Sequence, residues 1–139
     1  MHDEEAALIK AFVSQNKQER YLDFVANAKR RKKFVQALYH FNDFDRSYEV
    51  AIPRNQRTPE EIARLLKSRG APETCYAIST NKAIDQKRIA LSEVLQSIVD
   101  GSDGTLLSCI PGRLAYFEGE SPGECFILER ANGPRNSSL

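Results

Sequence analysis

Tryptophan is absent from this sequence, which removes one favoured aromatic anchor for ligands and interfaces. Cysteine is scarce. Cys75, Cys109 and Cys125 are the only three, an odd number, and no pair has Cys-x-x-Cys spacing. Neither a disulfide framework nor a structural zinc is therefore expected, and the thiols read as reduced and buried. No apolar run approaches the ~20 residues that span a bilayer, so no membrane partner is expected. The first residues, Met1-His2-Asp3-Glu4-Glu5, are acidic, unlike the basic and then apolar start of an export signal; the expected location is the cytoplasm. Asn136-Ser137-Ser138 fits a glycosylation sequon, but so short a match arises too easily by chance to change that reading. Walker, GxGxxG, GxSxG and HExxH motifs are also missing, and no cofactor is expected. Nor is there an excess of one charge. The net charge is +1, which on bulk grounds argues against a dedicated polyanion binder.

What is present is an ordinary globular composition, 41% hydrophobic and 28% charged, in a chain long enough to bury a real core. Charge is unevenly spread: residues 1–46 hold nine Lys/Arg and seven Asp/Glu, whereas residues 102–139 hold three and five. Residues 3–14 read as a helix with Ala7, Leu8, Ala11 and Phe12 on one stripe. Asn16-Lys17-Gln18-Glu19 has the form of a capping box opening a second helix through Tyr21, Leu22, Phe24 and Val25. Either Asn27 caps a third or the second runs on; the following segment has an apolar face of Phe34, Val35, Leu38 and Tyr39. Tyr48, Val50 and Ile52 alternate as in a short strand or extended connector.

Thr58-Pro59-Glu60-Glu61 combines a cap, a proline at the first helical position and a glutamate at the third. Gly70 and Pro72 end that helix. Residues 75–79 read as a strand and "TNKAIDQKR" as a polar linker. Leu91, Val94, Leu95, Ile98 and Val99 then fit one helical face. Strands at 105–110, 113–118 and 124–129 follow, joined by Pro111-Gly112 and by residues 119–123.

This order predicts an α+β fold. A helical N-terminal half of about three helices packs with a C-terminal mixed sheet of about four strands, crossed by two further helices. One compact domain is expected over 1–130, helical in 1–46 and α+β in 47–130, with a flexible tail at 131–139. Strand 75–79, helix 90–100 and strand 105–110 would form a right-handed crossover that sets the two strands parallel or near-parallel. The helices would cover one face of the sheet.

Candidate functional residues fall in four places. "LLSCIPGRLAYFEGE" (106–120) sets Cys109 four residues before Arg113, an invitation to look for an oxyanion loop. A two-residue Pro-Gly hairpin would instead set Ile110 opposite Arg113 and Cys109 opposite Leu114, so that thiol and guanidinium point to opposite faces. A wider loop or bulge would weaken that argument, because Pro-Gly suits a type II turn. Arg113 then shares a face with Ala115 and Phe117, and Leu114, Tyr116 and Glu118 share the other. Both faces are largely apolar, so this strand reads as central, and an exposed part of the sheet around Arg113, Tyr116 and Glu118 is a candidate binding surface.

The second place is Lys29-Arg30-Arg31-Lys32-Lys33. At about 100° per residue these cations surround a helix axis, so some must lie near the core and snorkel outward. They suit phosphate-backbone contact without base specificity, a solvated face, or an internal contact with Glu118, Glu120 and Glu124. The third is His40 with Asp43 and Asp45, candidates for a divalent metal site or for a general base oriented by a carboxylate; the plainer reading is a helix end followed by turn residues. Last, Arg54, Arg57, Arg64 and Arg69 line the 53–69 region, but Glu60 and Glu61 already occupy the positive end of that helix.

The expected function is that of a small binding or interaction protein without an evident catalytic motif, its partner unidentified, with another protein favoured; a structural or regulatory subunit is a further reading. The alternatives are nucleic-acid binding through 29–33, and an enzyme or metal protein centred on His40, Asp43 and Asp45, with Arg113 brought in by the fold.

Overall fold

The computed structural model describes residues 3–121 and 123–130. The expected tail at 131–139, the sequon and His2 lie outside them. Three helices come first: α1 (Asp3–Phe12), α2 (Gln15–Val25) and α3 (Ala28–Ala37). After a short strand β1 (Glu49–Ala51) come α4 (Pro59–Ser68), β2 (Thr74–Ser79), β3 (Arg88–Ala90), α5 (Leu91–Ile98), β4 (Thr105–Ile110), β5 (Leu114–Glu118) and β6 (Cys125–Glu129).

Local chemistry accounts for most boundaries. Asn27 caps α3, its side chain accepting from Lys29 N at 2.8 Å and Arg30 N at 3.3 Å. Thr58 caps α4 by accepting from Glu61 N at 3.2 Å, and Gly70 ends it at φ +104°, a conformation only glycine adopts without strain. The box expected at Asn16 does not form: Ser14 holds the N-cap position and Asn16 lies inside α2. The α1–α2 turn is fixed from outside instead, by a bridge between Val13 and Phe44 and by Ser14 N donating to Asp43 O at 2.7 Å.

All six strands join one sheet in the order β1-β6-β5-β4-β2-β3, and every adjacent pair is antiparallel. The α+β class is met, but the sheet is neither four-stranded nor mixed. β1 realises the alternation around 48–52. β3 straddles the end of the segment read as a linker (80–88) and the start of the expected helix at 90; three residues with Ile89 as their one large apolar side chain are too short to show a period. Its presence also corrects the crossover. β3 reverses the chain, so α5 connects β3 to β4, and these two run parallel on either side of β2. β2 and β4 themselves are antiparallel.

The sheet is covered on both faces, not one. α1–α3 pack on Tyr76, Ile78, Leu106, Ala115, Phe117 and Leu128. α4 and α5 pack on Cys75, Ala77, Leu107, Leu114, Tyr116 and Ile127. Alternate residues of β2, β4 and β5 thus serve two cores, which is why their sequences are apolar at nearly every position. Full burial of one large aliphatic or aromatic side chain contributes about 1.5–3 kcal/mol, and among the described residues eighteen such side chains are under 2% exposed.

The helical layer meets the sheet closely at Gly104. A Cβ there would lie 2.4 Å from the carbonyl carbon of Leu38 and 2.6 Å from Tyr39 N. That contact seats the single turn at Leu38–His40, and with it Tyr39, against the start of β4.

Candidate functional site

The five cations of α3 do not share one environment. Arg31 keeps helical spacing with Phe34, Val35 and Leu38, and like them it is buried. Lys29, Arg30, Lys32 and Lys33 are exposed. Arg31 does not snorkel, because two carboxylates meet it inside. Its Nη2 donates to Glu5 Oε2 at 2.7 Å and to Asp85 Oδ1 at 2.9 Å. Nη1 donates to Asp85 Oδ2 at 2.7 Å, and Nε reaches Glu5 Oε1 at 3.0 Å. Tyr76 Oη donates to Glu5 Oε2 at 2.7 Å, and Ser79 N donates to Asp85 Oδ1 at 3.0 Å. Burial works to lower the arginine pKa, but the hydrogen bonds and charges of Asp85 and Glu5 outweigh it and hold the group above its ordinary value. The Tyr76 phenol is pushed up by burial and by its bond to Glu5.

Beside this cluster opens a cleft of about 550 Å³, within the roughly 300–1,000 Å³ of small-ligand sites. The end of α2 and the exposed flank of α3 contribute Val25, Ala26, Ala28, Lys32, Val35 and Gln36. Tyr39, the end of β2 and the loop after it supply the remainder, including Thr80, Lys82 and Asp85, with Arg31 between. The loop is held in place. Thr80 Oγ1 donates to Asp103 Oδ1 at 3.0 Å and accepts from Gly104 N at 3.1 Å. Gln86, at φ +65°, and Lys87 together oppose Ala77, with Gln86 N donating to Ala77 O and Ala77 N to Lys87 O; this is a bulge that turns the loop out of the ladder.

The other candidates are dispersed. His40 is exposed and faces Glu120 at 3.4 Å and Glu124 at 3.9 Å. Asp43 accepts from Tyr21 Oη at 2.6 Å. Asp45 caps the turn at 46–48 by accepting from Ser47 N at 3.0 Å. Among the described residues no group of three His, Cys, Asp or Glu is placed to hold a metal. Glu120 and Glu124 meet His40 and not the basic run, and Glu118 is buried elsewhere.

The hairpin at 110–114 has three residues in its loop, not two. Ile110 pairs with Leu114, and the register shifts between Ser108 and Ile110. Arg113 N donates to Ile110 O at 2.9 Å, and Gly112 has φ +74°, as a type II turn requires. Arg113 is exposed in the loop. Cys109 is 3% exposed, and burial pushes its thiol well above the usual range. The two do not grip one ligand, although the register behind that result differs from the expected one.

The sheet face around Tyr116 and Glu118 is not an exposed surface. Both are buried. Tyr116 Oη donates to Glu118 Oε1 at 2.7 Å, and Asp100 N donates to Oε2 at 2.9 Å. Burial raises the Glu118 pKa against these two bonds. Of the 53–69 arginines, Arg57 Nε donates to Ile52 O at 3.0 Å, Arg64 pairs with Glu61 and Arg69 with Glu129.

Sequence reasoning missed Asp85, Lys82 and Tyr39 at the cleft and Glu5 as the buried partner of Arg31. For Glu5 a signal existed: with Leu8, Ile9 and Phe12 it falls on the buried stripe of α1, where a carboxylate needs a partner. Asp85 carries none, because it sits in an irregular loop. No family model, curated protein or solved structure matches the chain.

Proposed function

We propose that this protein works by binding, and that its site is the cleft between α3 and the loop after β2. The supporting observation is the preorganised floor. Arg31 and Asp85 line the cleft and are locked to each other and to the buried Glu5 and Tyr76 by hydrogen bonds, while the walls above combine apolar side chains with polar tips. Such a concave, mixed and rigid lining suits a small ligand. The sheet around Tyr116 and Glu118, a candidate binding surface from the sequence, is covered on both faces and offers no such surface. Titration of ¹⁵N-labelled protein with a diverse fragment mixture tests the reading. Saturable shifts confined to amides of 25–36 and 79–86 are expected, and shifts that ignore these segments would overturn it.

A second reading keeps nucleic acid as the partner. Lys29, Arg30, Lys32 and Lys33 are exposed together on α3, and Arg20 and Lys33 flank the half-buried Phe24 ring at 5.6 and 5.7 Å. Anisotropy of labelled single- and double-stranded oligonucleotides would then fall steeply with salt, and no binding at low salt would dismiss it.

A further inference from the structure

We infer that the cleft takes a small organic anion, its charged head held by Lys32 and Lys82 and its apolar body laid against Val25, Ala26 and Val35. This rests on the cleft being the binding site and adds the class of ligand. The lining carries Arg31, Lys32 and Lys82 against the single carboxylate of Asp85. That carboxylate is spent. Both its oxygens accept from Arg31, at 2.7 and 2.9 Å, and Oδ1 accepts from Ser79 N as well. A cationic ligand would therefore find no free acceptor charge and two ammonium groups opposing it.

The cations, in contrast, have capacity left. Among the described residues neither Lys32 nor Lys82 has an ion-pair partner. The bonds of Arg31 use Nε, both hydrogens of Nη2 and one of Nη1, which leaves one of its five N–H groups without an acceptor. Gln36 and Tyr39 add an amide and a phenol at the same cleft. A bare inorganic anion would leave Val25, Ala26 and Val35 uncovered, and a neutral hydrocarbon would desolvate the ammonium groups without recompense. An organic body bearing one carboxylate, sulfonate or phosphate monoester satisfies both halves.

The test compares three probes that share one naphthalene body: 2-naphthoate, 2-naphthamide and 2-naphthylmethylammonium. Each is titrated into ¹⁵N-labelled full-length protein and into the Lys32→Gln/Lys82→Gln variant. The naphthoate is expected to shift amides of 25–36 and 79–86 saturably and to bind best. Its affinity should drop about tenfold in the variant, since each solvent-exposed charge pair contributes a modest amount. Lys32→Arg/Lys82→Arg should retain binding, and all variants should melt as the parent does. Equal binding of the three probes in the cleft, or no loss in the glutamine variant, would overturn the anion preference and leave the cleft standing. Silence of these amides to all three probes, with a response to the fragment mixture, would also overturn the anion inference alone. Silence to both would overturn the cleft itself.

Discussion

Arg31 and Glu5, on different helices, meet in the interior with Nη2 and Oε2 2.7 Å apart and side chains 10% and 0% exposed. Removing one member of a buried pair leaves the other charge uncompensated, at a cost of about 3–5 kcal/mol. Arg31→Met is therefore expected to lower the unfolding free energy by about that amount, read by urea denaturation. Adding Glu5→Gln and Asp85→Asn should recover much of it, because no buried charge then lacks a partner. Neutralising Lys29, Lys32 and Lys33 together should move stability by less than about 0.5 kcal/mol per residue. An equal loss from both sets would refute the division of the basic run into one internal and several solvated cations.

Glu118 gives a pH dependence of opposite sign to the usual carboxylate. Its folded-state pKa is raised, chiefly by burial, so the folded state holds its proton more tightly than the unfolded chain does. The neutral carboxyl thus contributes stability at low pH, and that contribution is lost as pH rises from the ordinary glutamate value through the raised one. Glu118→Gln removes the titration while an amide can still accept from Asp100 N and donate to Tyr116 Oη. Its stability relative to the parent should improve as pH rises across that window. A constant difference between the two proteins across the window would show that Glu118 does not titrate there.

Gly104 tests the contact between the helical layer and the sheet. Any Cβ there collides with the Leu38–Tyr39 backbone, which cannot give way as a flexible side chain can. Gly104→Ala should cost about 3 kcal/mol and broaden the amide resonances of 38–40 and 79–86. A melting temperature equal to the parent's would mean that the two segments are less closely apposed.

The three thiols should react in a fixed order. Cys75 and Cys109 are 0% and 3% exposed, and burial pushes the Cys75 thiol up to about 12. Cys125 is half-buried, with its pKa also raised by burial. Since the thiolate is the nucleophile, a disulfide reagent should modify Cys125 first and slowly, and the other two only after unfolding. Mass mapping of the labelled native protein checks this, and early labelling of Cys109 would reopen the 106–120 stretch as a reactive loop.

Much of the fold was legible because it is written in short-range chemistry. The Asn27 and Thr58 caps, the glycine stop at Gly70, the α5 stripe and the Pro-Gly hairpin each depend on residues a few positions apart. Even the two-sided sheet had left a trace in the doubly apolar β5. The candidate site was far less legible. The basic run shows that some of its cations must lie near the core, but the expected outcome is snorkelling, and it is spacing with Phe34, Val35 and Leu38 that sets Arg31 apart as the internal one. His40, Asp43 and Asp45 are close in sequence yet turn to different partners, since irregular backbone carries no fixed side-chain period.

Local sequence set where most helices begin and end, that β5 is apolar on both faces, and that Cys109 sits in a hairpin. Those features follow from backbone dihedral preference and hydrophobic period, which act over one or two turns of chain. Tertiary structure alone decided that β3 exists, that α5 departs from it, and that Glu5 and Asp85 converge on Arg31. These depend on contacts between residues up to 54 positions apart, where the balance of desolvation and pairing is set by whatever the fold brings alongside, and no local pattern encodes the identity of that neighbour.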